Sequence, residues 1–479
     1  LTPINARPPV RRQSASMNAT VNAPLVAPAH APLAASLVLA EKAVPRYTSY
    51  PTAPHFHAGV TSEVAAGWLA ALPPDARLSL YLHVPYCRAI CNYCGCNTKA
   101  ALRDAPLDAY VATLLKEIDV AADATEARRV SFIHWGGGTP SLLGPERLKT
   151  LWSALGARFD VSRIDEHAIE LDPRTVDEAL AQGLAAIGVN RVSFGVQDLN
   201  AHVQQAIGRV QPFEIVEHAV RLVRAAGISA VNLDLMYGLP EQTIEDVERT
   251  AHLAASLDPS RLAIFGYAHV PWFKVHQKLI DASALPGAAE RIAQAAAARA
   301  KLESEGYRAI GLDHFARETD PLAIAARAGL LRRNFQGYVT DDADALIGMG
   351  ASSIGQTPQG FMQNAPDVAG WRRMVEAGKV PVVRGVAISD DDRLRAAAIE
   401  RLMCDFALDF GALSQRMAGD AAALDEAIPQ LDDLARDGVL ARDGRQVRIT
   451  RAGEPFVRLA AAAFDAYLKR DAARHSAAV

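Results

Sequence analysis

Four of the five cysteines fall within ten residues, in the run Tyr81-Leu-His-Val-Pro-Tyr-Cys87-Arg-Ala-Ile-Cys91-Asn-Tyr-Cys94-Gly-Cys96, while Cys404 stands alone. Thiolates spaced C-x3-C-x2-C on one loop can hold three corners of a cubane iron-sulfur cluster and leave the fourth iron open to a substrate or cosubstrate. The run therefore reads as a [4Fe-4S] site on Cys87, Cys91 and Cys94. A structural zinc site draws two ligand pairs separated by a dozen or more residues, and no second pair is present. A redox C-x-x-C pair at Cys91 and Cys94 would leave Cys87 and Cys96 idle, and an odd, clustered set does not suit a disulfide framework. Spacing alone leaves Cys96 open, although residues two apart in an irregular loop tend to diverge. His83 falls in an expected strand and reads as packed or hydrogen-bonded locally; Cys404, in an apolar helical pattern, reads as core.

The elements that must position this loop show as an alternation. Short apolar or β-branched runs at 78–85, 130–135, 168–171, 191–196, 230–236, 262–268 and 307–312 read as strands. Amphipathic stretches at 107–122, 146–159, 213–226, 244–257 and 288–306 read as the helices between them. Six or seven such units predict an α/β fold, a partial to full (β/α) barrel, whose reactive groups gather at the C-terminal ends of the strands. Polar residues or glycines interrupt the apolar runs at those ends: Cys87, the turn 136–140, Glu170 with Asp172, Gln197 with Asp198, Asp234 and His269. A buried strand gains nothing from an unpaired carboxylate, so each needs a partner or a function.

Around this barrel, expected over 78–320, the chain divides further. Residues 1–44, rich in Ala, Pro and Val, read as a disordered leader, with Met17 a candidate translation start. Residues 45–77 read as an N-terminal segment packing on the barrel and 321–388 as a segment covering its mouth. Residues 389–479 read as a mainly helical, winged-helix-like C-terminal domain. Ser389 with Asp392 caps its first helix, 428–436 is a helix with Pro429 in its first turn, and 439–442 and 446–450 form a hairpin about Asp443-Gly444.

A formal net charge of -4 over 479 residues gives no basic field for nucleic acid or anionic lipid, so an anionic substrate must be held by local Arg or Lys. No apolar stretch reaches the roughly 18 residues that span a bilayer. The thiolate cluster calls for a reducing compartment, and a cytoplasmic location is expected.

Seven segments together carry a resemblance. They are Pro45-Arg-Tyr-Thr-Ser-Tyr-Pro-Thr52, the Cys87 to Cys96 loop, His134-Trp-Gly-Gly-Gly-Thr-Pro140, Gly195-Val-Gln-Asp198, Asp234-Leu-Met-Tyr-Gly-Leu-Pro240, Gly311-Leu-Asp-His-Phe-Ala-Arg317 and Asn334-Phe-Gln-Gly-Tyr338. On these the chain resembles the radical S-adenosylmethionine superfamily and, within it, the oxygen-independent coproporphyrinogen III oxidases, also called coproporphyrinogen dehydrogenases, from about residue 45 to near the C-terminus. The run Val270-Pro-Trp-Phe-Lys-Val-His-Gln277 departs from that pattern.

The resemblance implies a [4Fe-4S] cluster on Cys87, Cys91 and Cys94, with Cys96 outside it, and two S-adenosylmethionine molecules. These would be shared among Tyr81, Gly137, Gly138, Thr139, Glu170, Gln197, Arg209, Asp234, Ala268 and Ile354. It implies that a 5'-deoxyadenosyl radical, rather than a catalytic side chain, removes hydrogen from two propionates of coproporphyrinogen III, whose loss of carbon dioxide gives the vinyl groups of protoporphyrinogen IX in haem synthesis. A low-potential donor such as flavodoxin or ferredoxin would supply electrons to a monomer. Arg46, Tyr47, Tyr50 and Tyr338 are candidate propionate partners. The alternatives on this scaffold are a haem chaperone, whose relatives typically lack the fourth cysteine, a haem-modifying radical methyltransferase, and a winged-helix regulator sensing through the cluster.

Overall fold

The computed structural model describes residues 33–468, and the first part of the expected leader lies outside them. Six strands follow one another with helical crossovers: β1 (Arg77–Val84), β2 (Arg129–Gly137), β3 (Glu166–Leu171), β4 (Arg191–Gln197), β5 (Ala230–Tyr237) and β6 (Arg261–Gly266). All pair in parallel with their sequence neighbours. The helices between them, and the one after β6, are α1 (Ala105–Asp123), α2 (Gly144–Arg158), α3 (Glu178–Ala186), α4 (Phe213–Ala225), α5 (Ile244–Ser256) and α6 (Ala288–Ser304). Parallel strands need such crossovers, and burial on both faces suits their near-continuous apolar sequence, as in β1 where Leu78, Leu80, Leu82 and Val84 have no exposure.

The sheet continues beyond this set. It holds twelve strands, adding β7 (Arg308–Ile310), β8 (His314–Ala316), β9 (Ala345–Met349), β10 (Ile354–Thr357), β11 (Gly360–Asn364) and β12 (Val382–Ala387), in the order β12-β11-β10-β9-β1-β2-β3-β4-β5-β6-β8-β7. The two ends are not paired, so the barrel is partial. Of the expected strand at 307–312 only Arg308–Ile310 is a strand, β7, and it pairs antiparallel with β8 just after it, because the few residues between them cannot make a parallel crossover. The seventh parallel strand is β9, which joins β1 on its free edge with Tyr81 opposite Gly348. Residues 321–388 therefore extend the sheet more than they cover its mouth.

The N-terminal expectations also change. The chain is helical over Leu33–Ala40, and Leu39, Val44, Tyr47 and Tyr50 are buried with Leu394, Leu402, Phe410 and Phe464 of the C-terminal domain. Residues 33–44 are thus part of the folded chain and not of a disordered leader. Of the segment 45–77, the first part packs on the C-terminal domain and only the later part, through Val60, Ala65 and Leu69, on the barrel core. Apolar side chains in the leader, too few to show a period, find their partners far along the chain.

In the C-terminal domain, α7 (Asp390–Asp405) opens with a full capping box from Ser389 and Asp392. A short strand, Ala407–Asp409, precedes α8 (Phe410–Ala418) and α9 (Ile428–Arg436), and with two strands after them it forms a sheet in the order Ala407–Asp409, Gln446–Ile449, Leu440–Asp443. Helix and hairpin lie where the sequence places them. Among the described residues no helix is long and apolar enough to cross a membrane.

At the N-terminal side of the strands, Asp320 accepts from Arg191 Nη2 at 3.1 Å and Arg261 Nε at 2.7 Å, and both arginines also reach Glu166. Asp320 further accepts from the Leu322 backbone N–H as a helix cap. Asp320→Ala leaves two buried guanidiniums with one carboxylate, and denaturant unfolding should show a loss of roughly 3–5 kcal/mol; a loss below about 1 kcal/mol would mean that the network is solvated.

Candidate active site

The strand ends converge on the cysteine loop. After β1 the chain makes the short bridge Tyr86–Cys87 with Lys99–Ala100, so the loop leaves and returns at one place. Segments distant in sequence clamp it: the Asn92 N–H donates to Ile207 O at 3.0 Å, and the Asn97 side-chain amide to Pro366 O at 3.2 Å. The unusual run after His269 folds back over it. Lys274 Nζ donates to Cys96 O at 2.9 Å, His276 Nε2 lies 2.6 Å from Cys94 O, and Gln277 Nε2 donates to Tyr93 O at 2.8 Å and Ala268 O at 3.3 Å.

Each of the three sulfurs predicted to bind iron faces a hydrogen-bond donor. Thr139 Oγ1 donates to Cys87 Sγ at 3.3 Å, with Thr98 Oγ1 also 3.3 Å away. Arg209 Nη1 reaches Cys91 Sγ at 3.5 Å, and the Cys96 N–H donates to Cys94 Sγ at 3.4 Å. Donors aimed at sulfur favour thiolate and are a lever on cluster potential. The Cys96 thiol, then its backbone N–H and then the charges of His276 and Lys274, holds the Cys94 thiol down to about 6 against burial. Burial pushes the Cys87 thiol up, and the two threonine hydroxyls oppose it. The donor set suits a thiolate-bound cluster, and it gives Cys96 a place: it supports Cys94.

The predicted cofactor positions surround this loop. Gly137 has φ +117°, a conformation that favours glycine, and its N–H donates to Glu170 Oε2 at 3.2 Å. A Cβ on Gly136 would lie 2.9 Å from both Glu170 Oε1 and the Tyr81 hydroxyl, and one on Gly138 would lie 2.6 Å from Tyr86 O. The three glycines are what let β2 turn against the cysteine loop. Glu170, also 3.2 Å from His134 Nε2, keeps 40% of its side chain exposed and so remains open to a cationic ligand.

On β4 a register shift between Gly195 and Gln197, with Gln197 at φ +68°, ends the strand in a bulge. Arg209 sits beneath it, donating to Gly195 O at 2.7 Å and lying 3.5 Å from Asp172. Asp234 accepts from Ser193 Oγ at 2.7 Å and Asn232 Nδ2 at 3.0 Å, and burial raises its carboxyl to about 6. Ala268 joins the site through Gln277, and Ile354 through Gly348, whose Cβ would lie 2.7 Å from Ile354 O beside Tyr81.

Other expectations part from the structure. Asp198, marked as a strand-end carboxylate, is fully buried and accepts from Asn200, Gln242 and Thr250, which makes it structural. Tyr47 donates to Asp465 at 3.0 Å, Tyr50 accepts from the Ala466 N–H at 2.9 Å and Tyr338 donates to Met403 O at 2.7 Å. These three hydroxyls hold the domains together and do not face a substrate. Arg46 alone of that group lines a cavity, of about 470 Å3. His83, as expected, is bonded locally, to Tyr81 and Asn97 O. Thr98, Gln277 and Gln211, which accepts from Arg209 Nε at 3.1 Å, were missed, since single polar residues in loops carry no sequence signal of their own.

Comparison with known proteins follows this geometry. The model of the Radical SAM superfamily matches residues 81–254, and that of the HemN C-terminal domain residues 388–456. The chain is 44% identical to the oxygen-independent coproporphyrinogen III oxidase of Bradyrhizobium diazoefficiens, covering 92% of this chain and 98% of the relative. It is 42% identical to that of Paracoccus denitrificans over 92% and 98%. The solved coproporphyrinogen III oxidase of Escherichia coli, described as a radical SAM enzyme, superposes with a TM-score of 0.83 at 35% identity, covering 89% of this chain and all of that one.

Proposed function

Because this chain belongs to the oxygen-independent coproporphyrinogen III oxidase family of radical SAM enzymes, we propose that it oxidatively decarboxylates two propionates of coproporphyrinogen III to the vinyl groups of protoporphyrinogen IX. The observation that carries the reading is the convergence of three donor-supported cysteines, the glycine turn and Glu170 at the strand ends. When bound, the [4Fe-4S] cluster and S-adenosylmethionine supply the one-electron chemistry that yields an adenosyl radical.

This chain's own residues bind, orient and shield. Cys87, Cys91 and Cys94 would hold the cluster. Glu170 accepts from the cofactor's ammonium, the backbone of Gly137 and Gly138 lets its amino-acid end approach, and Thr139 fixes the turn onto Cys87. Arg209 places positive charge beside Cys91 Sγ, where it would offset the negative charge of a thiolate-bound cluster. Asp234, Gln197, Tyr81, Ala268 and Ile354 would be divided between two S-adenosylmethionine molecules. A low-potential donor such as flavodoxin or ferredoxin delivers electrons to the cysteine loop of a cytoplasmic monomer.

The test is an anaerobic assay with reconstituted cluster that follows carbon dioxide and methionine released per coproporphyrinogen. Two of each is the outcome that the reading requires. Stable haem binding without turnover would support a chaperone instead, and methyl transfer from labelled cofactor a methyltransferase.

A further inference from the structure

The cavity of about 470 Å3 lies between β6, α6 and the C-terminal domain, with Ala268 of the cofactor site in its wall. Its size is in the range of small-molecule sites, about 300–1,000 Å3. At one end Arg299 and Arg451 are neutralised by Glu303 and Glu454. The remainder is different: Arg46, Arg291, Arg333 and Arg458 line it with a single carboxylate, Asp313.

Among the described residues, the guanidiniums of Arg46, Arg291 and Arg333 are held by carbonyls rather than acids. Arg291 Nη2 donates to Tyr267 O at 2.9 Å, Arg46 Nη2 to Gly266 O at 3.4 Å and Arg333 Nη2 to Arg46 O at 3.2 Å, and the Arg333 guanidinium lies 4.5 Å from the centre of the Tyr338 ring. Among the described residues, the buried Nε of Arg291 and the buried Nε and Nη1 of Arg333 have no hydrogen-bond partner. Like charges also press on one another: burial, then the charge of Arg46 and of Arg333, brings Arg458 down to about 10. Converging, underused guanidiniums in a partly dry cavity are unfavourable until an anion arrives.

Asp313 is the counterpoint. Its Oδ1 lies 2.7 Å from His314 Nδ1, and among the described residues its second oxygen has no hydrogen-bond partner. Against burial, the His314 bond and charge and then Arg333 and Arg46 keep its carboxyl below the usual range, so it is an acceptor at neutral pH. A porphyrinogen has the inverse pattern: pyrrole N–H donors at its centre and carboxylates around its edge.

We infer that this cavity is the tetrapyrrole chamber, in which Asp313 accepts from the pyrrole N–H groups while Arg46, Arg291 and Arg333 take propionate carboxylates. The inference rests on the tetrapyrrole reading above and adds the residues that recognise the ring and its acids. It also gives a role to the Gly311 to Arg317 segment, which the cofactor site leaves unused.

The test uses the reconstituted holoenzyme without oxygen, with coproporphyrinogen III, its tetramethyl ester and the oxidised coproporphyrin III as probes. Asp313→Asn should raise KM for coproporphyrinogen at least about tenfold and reduce the preference for it over the porphyrin, which has fewer N–H donors. Arg333→Gln, with Arg291→Gln as the second variant, should weaken the acid about tenfold and leave the ester unchanged. All three should retain the cluster absorbance and substrate-free cleavage of S-adenosylmethionine. An unchanged KM and preference in Asp313→Asn, equal loss for acid and ester in both arginine variants, or loss of the cluster would overturn the inference. Failure of the wild-type enzyme to decarboxylate would instead remove the proposed reaction, while equilibrium binding of the same probes would still report on the cavity.

Discussion

Cys91→Ser is expected to abolish both the visible absorbance of the reconstituted cluster and coproporphyrinogen turnover, with a fall in rate of at least about 10³-fold, equivalent to roughly 4 kcal/mol of activation free energy. Cys91 is the buried member of the trio, 6% exposed, and the sulfur that Arg209 faces at 3.5 Å. A serine hydroxyl stays protonated where a thiol gives up its proton, so the loop would offer the cubane two thiolates and one poor ligand. Its smaller oxygen also sits farther from Arg209, whose Nη1 would lose its sulfur acceptor while Gly195 O and Asp172 still hold the guanidinium. The loop itself should survive, because it is tied down by backbone bonds at Asn92, Lys99 and Ala101. Unchanged far-ultraviolet circular dichroism is the control for that. Cys404→Ser, in the small core cluster with Ile310 and Tyr338, should leave the absorbance intact. Cys96→Ser should keep a cluster, since its backbone N–H still reaches Cys94. Normal absorbance in Cys91→Ser would end the three-cysteine assignment.

How much of this was legible depends on whether the signal was local. The cysteine loop, the glycine turn at 136–138 and the first six strands are written in contiguous residue types and periods, and they stand where the sequence places them. β9 was not legible: Ala345–Met349 is five residues with a glycine inside, and it is a strand because β1 has a free edge beside it. The hairpin β7–β8 reads as one strand at the level of apolar content, and only connection length reveals the reversal. The roles of Tyr47, Tyr50 and Tyr338 went the same way. A tyrosine in a distinctive motif suggests contact with a ligand, yet each of these hydroxyls answers to a residue more than 60 positions away in sequence, Asp465, Ala466 and Met403. Asp313 was legible as part of a motif, but its meaning came only from arginines at 46, 291, 333 and 458 that no sequence pattern links. Long-range polar pairing is the part of the site that spacing does not encode.

The same lesson gives the largest stability prediction. Glu117 on α1 is 2% exposed, and its carboxyl accepts from three donors: Asn364 Nδ2 at 2.7 Å, the Gly350 N–H at 2.6 Å and Trp371 Nε1 at 3.0 Å. It pins the turn between β9 and β10, just ahead of Ile354, to the helix that follows the cysteine loop. Glu117→Gln keeps the shape but offers one acceptor oxygen, so its NH2 must face at least one of those donors. Each buried polar group left unpaired costs about 1–3 kcal/mol, and a total loss of roughly 3–5 kcal/mol is expected in denaturant unfolding. The effect carries a pH signature. Burial raises the Glu117 carboxyl from 4.5 to about 7, against the pull of its three donors. The folded state therefore keeps the proton after the unfolded chain has lost it, and the wild-type protein loses stability as pH rises from about 4.5 to about 7, with no further loss from this group above that. Asp198 and Asp234, each raised to about 6, contribute falls of the same sign that finish earlier. Burial lowers His83, His167 and His269 from 6.5, and these contribute in the opposite sense up to about pH 6.5, so the Glu117 contribution, up to about 1.4 kcal/mol per pH unit, is read as the difference between wild type and Glu117→Gln. The stability difference between wild type and Glu117→Gln should shrink as pH rises from about 4.5 to about 7, the groups common to both proteins cancelling. Parallel slopes in the two proteins would show that Glu117 is already ionised in the fold, held by its three donors in spite of its burial.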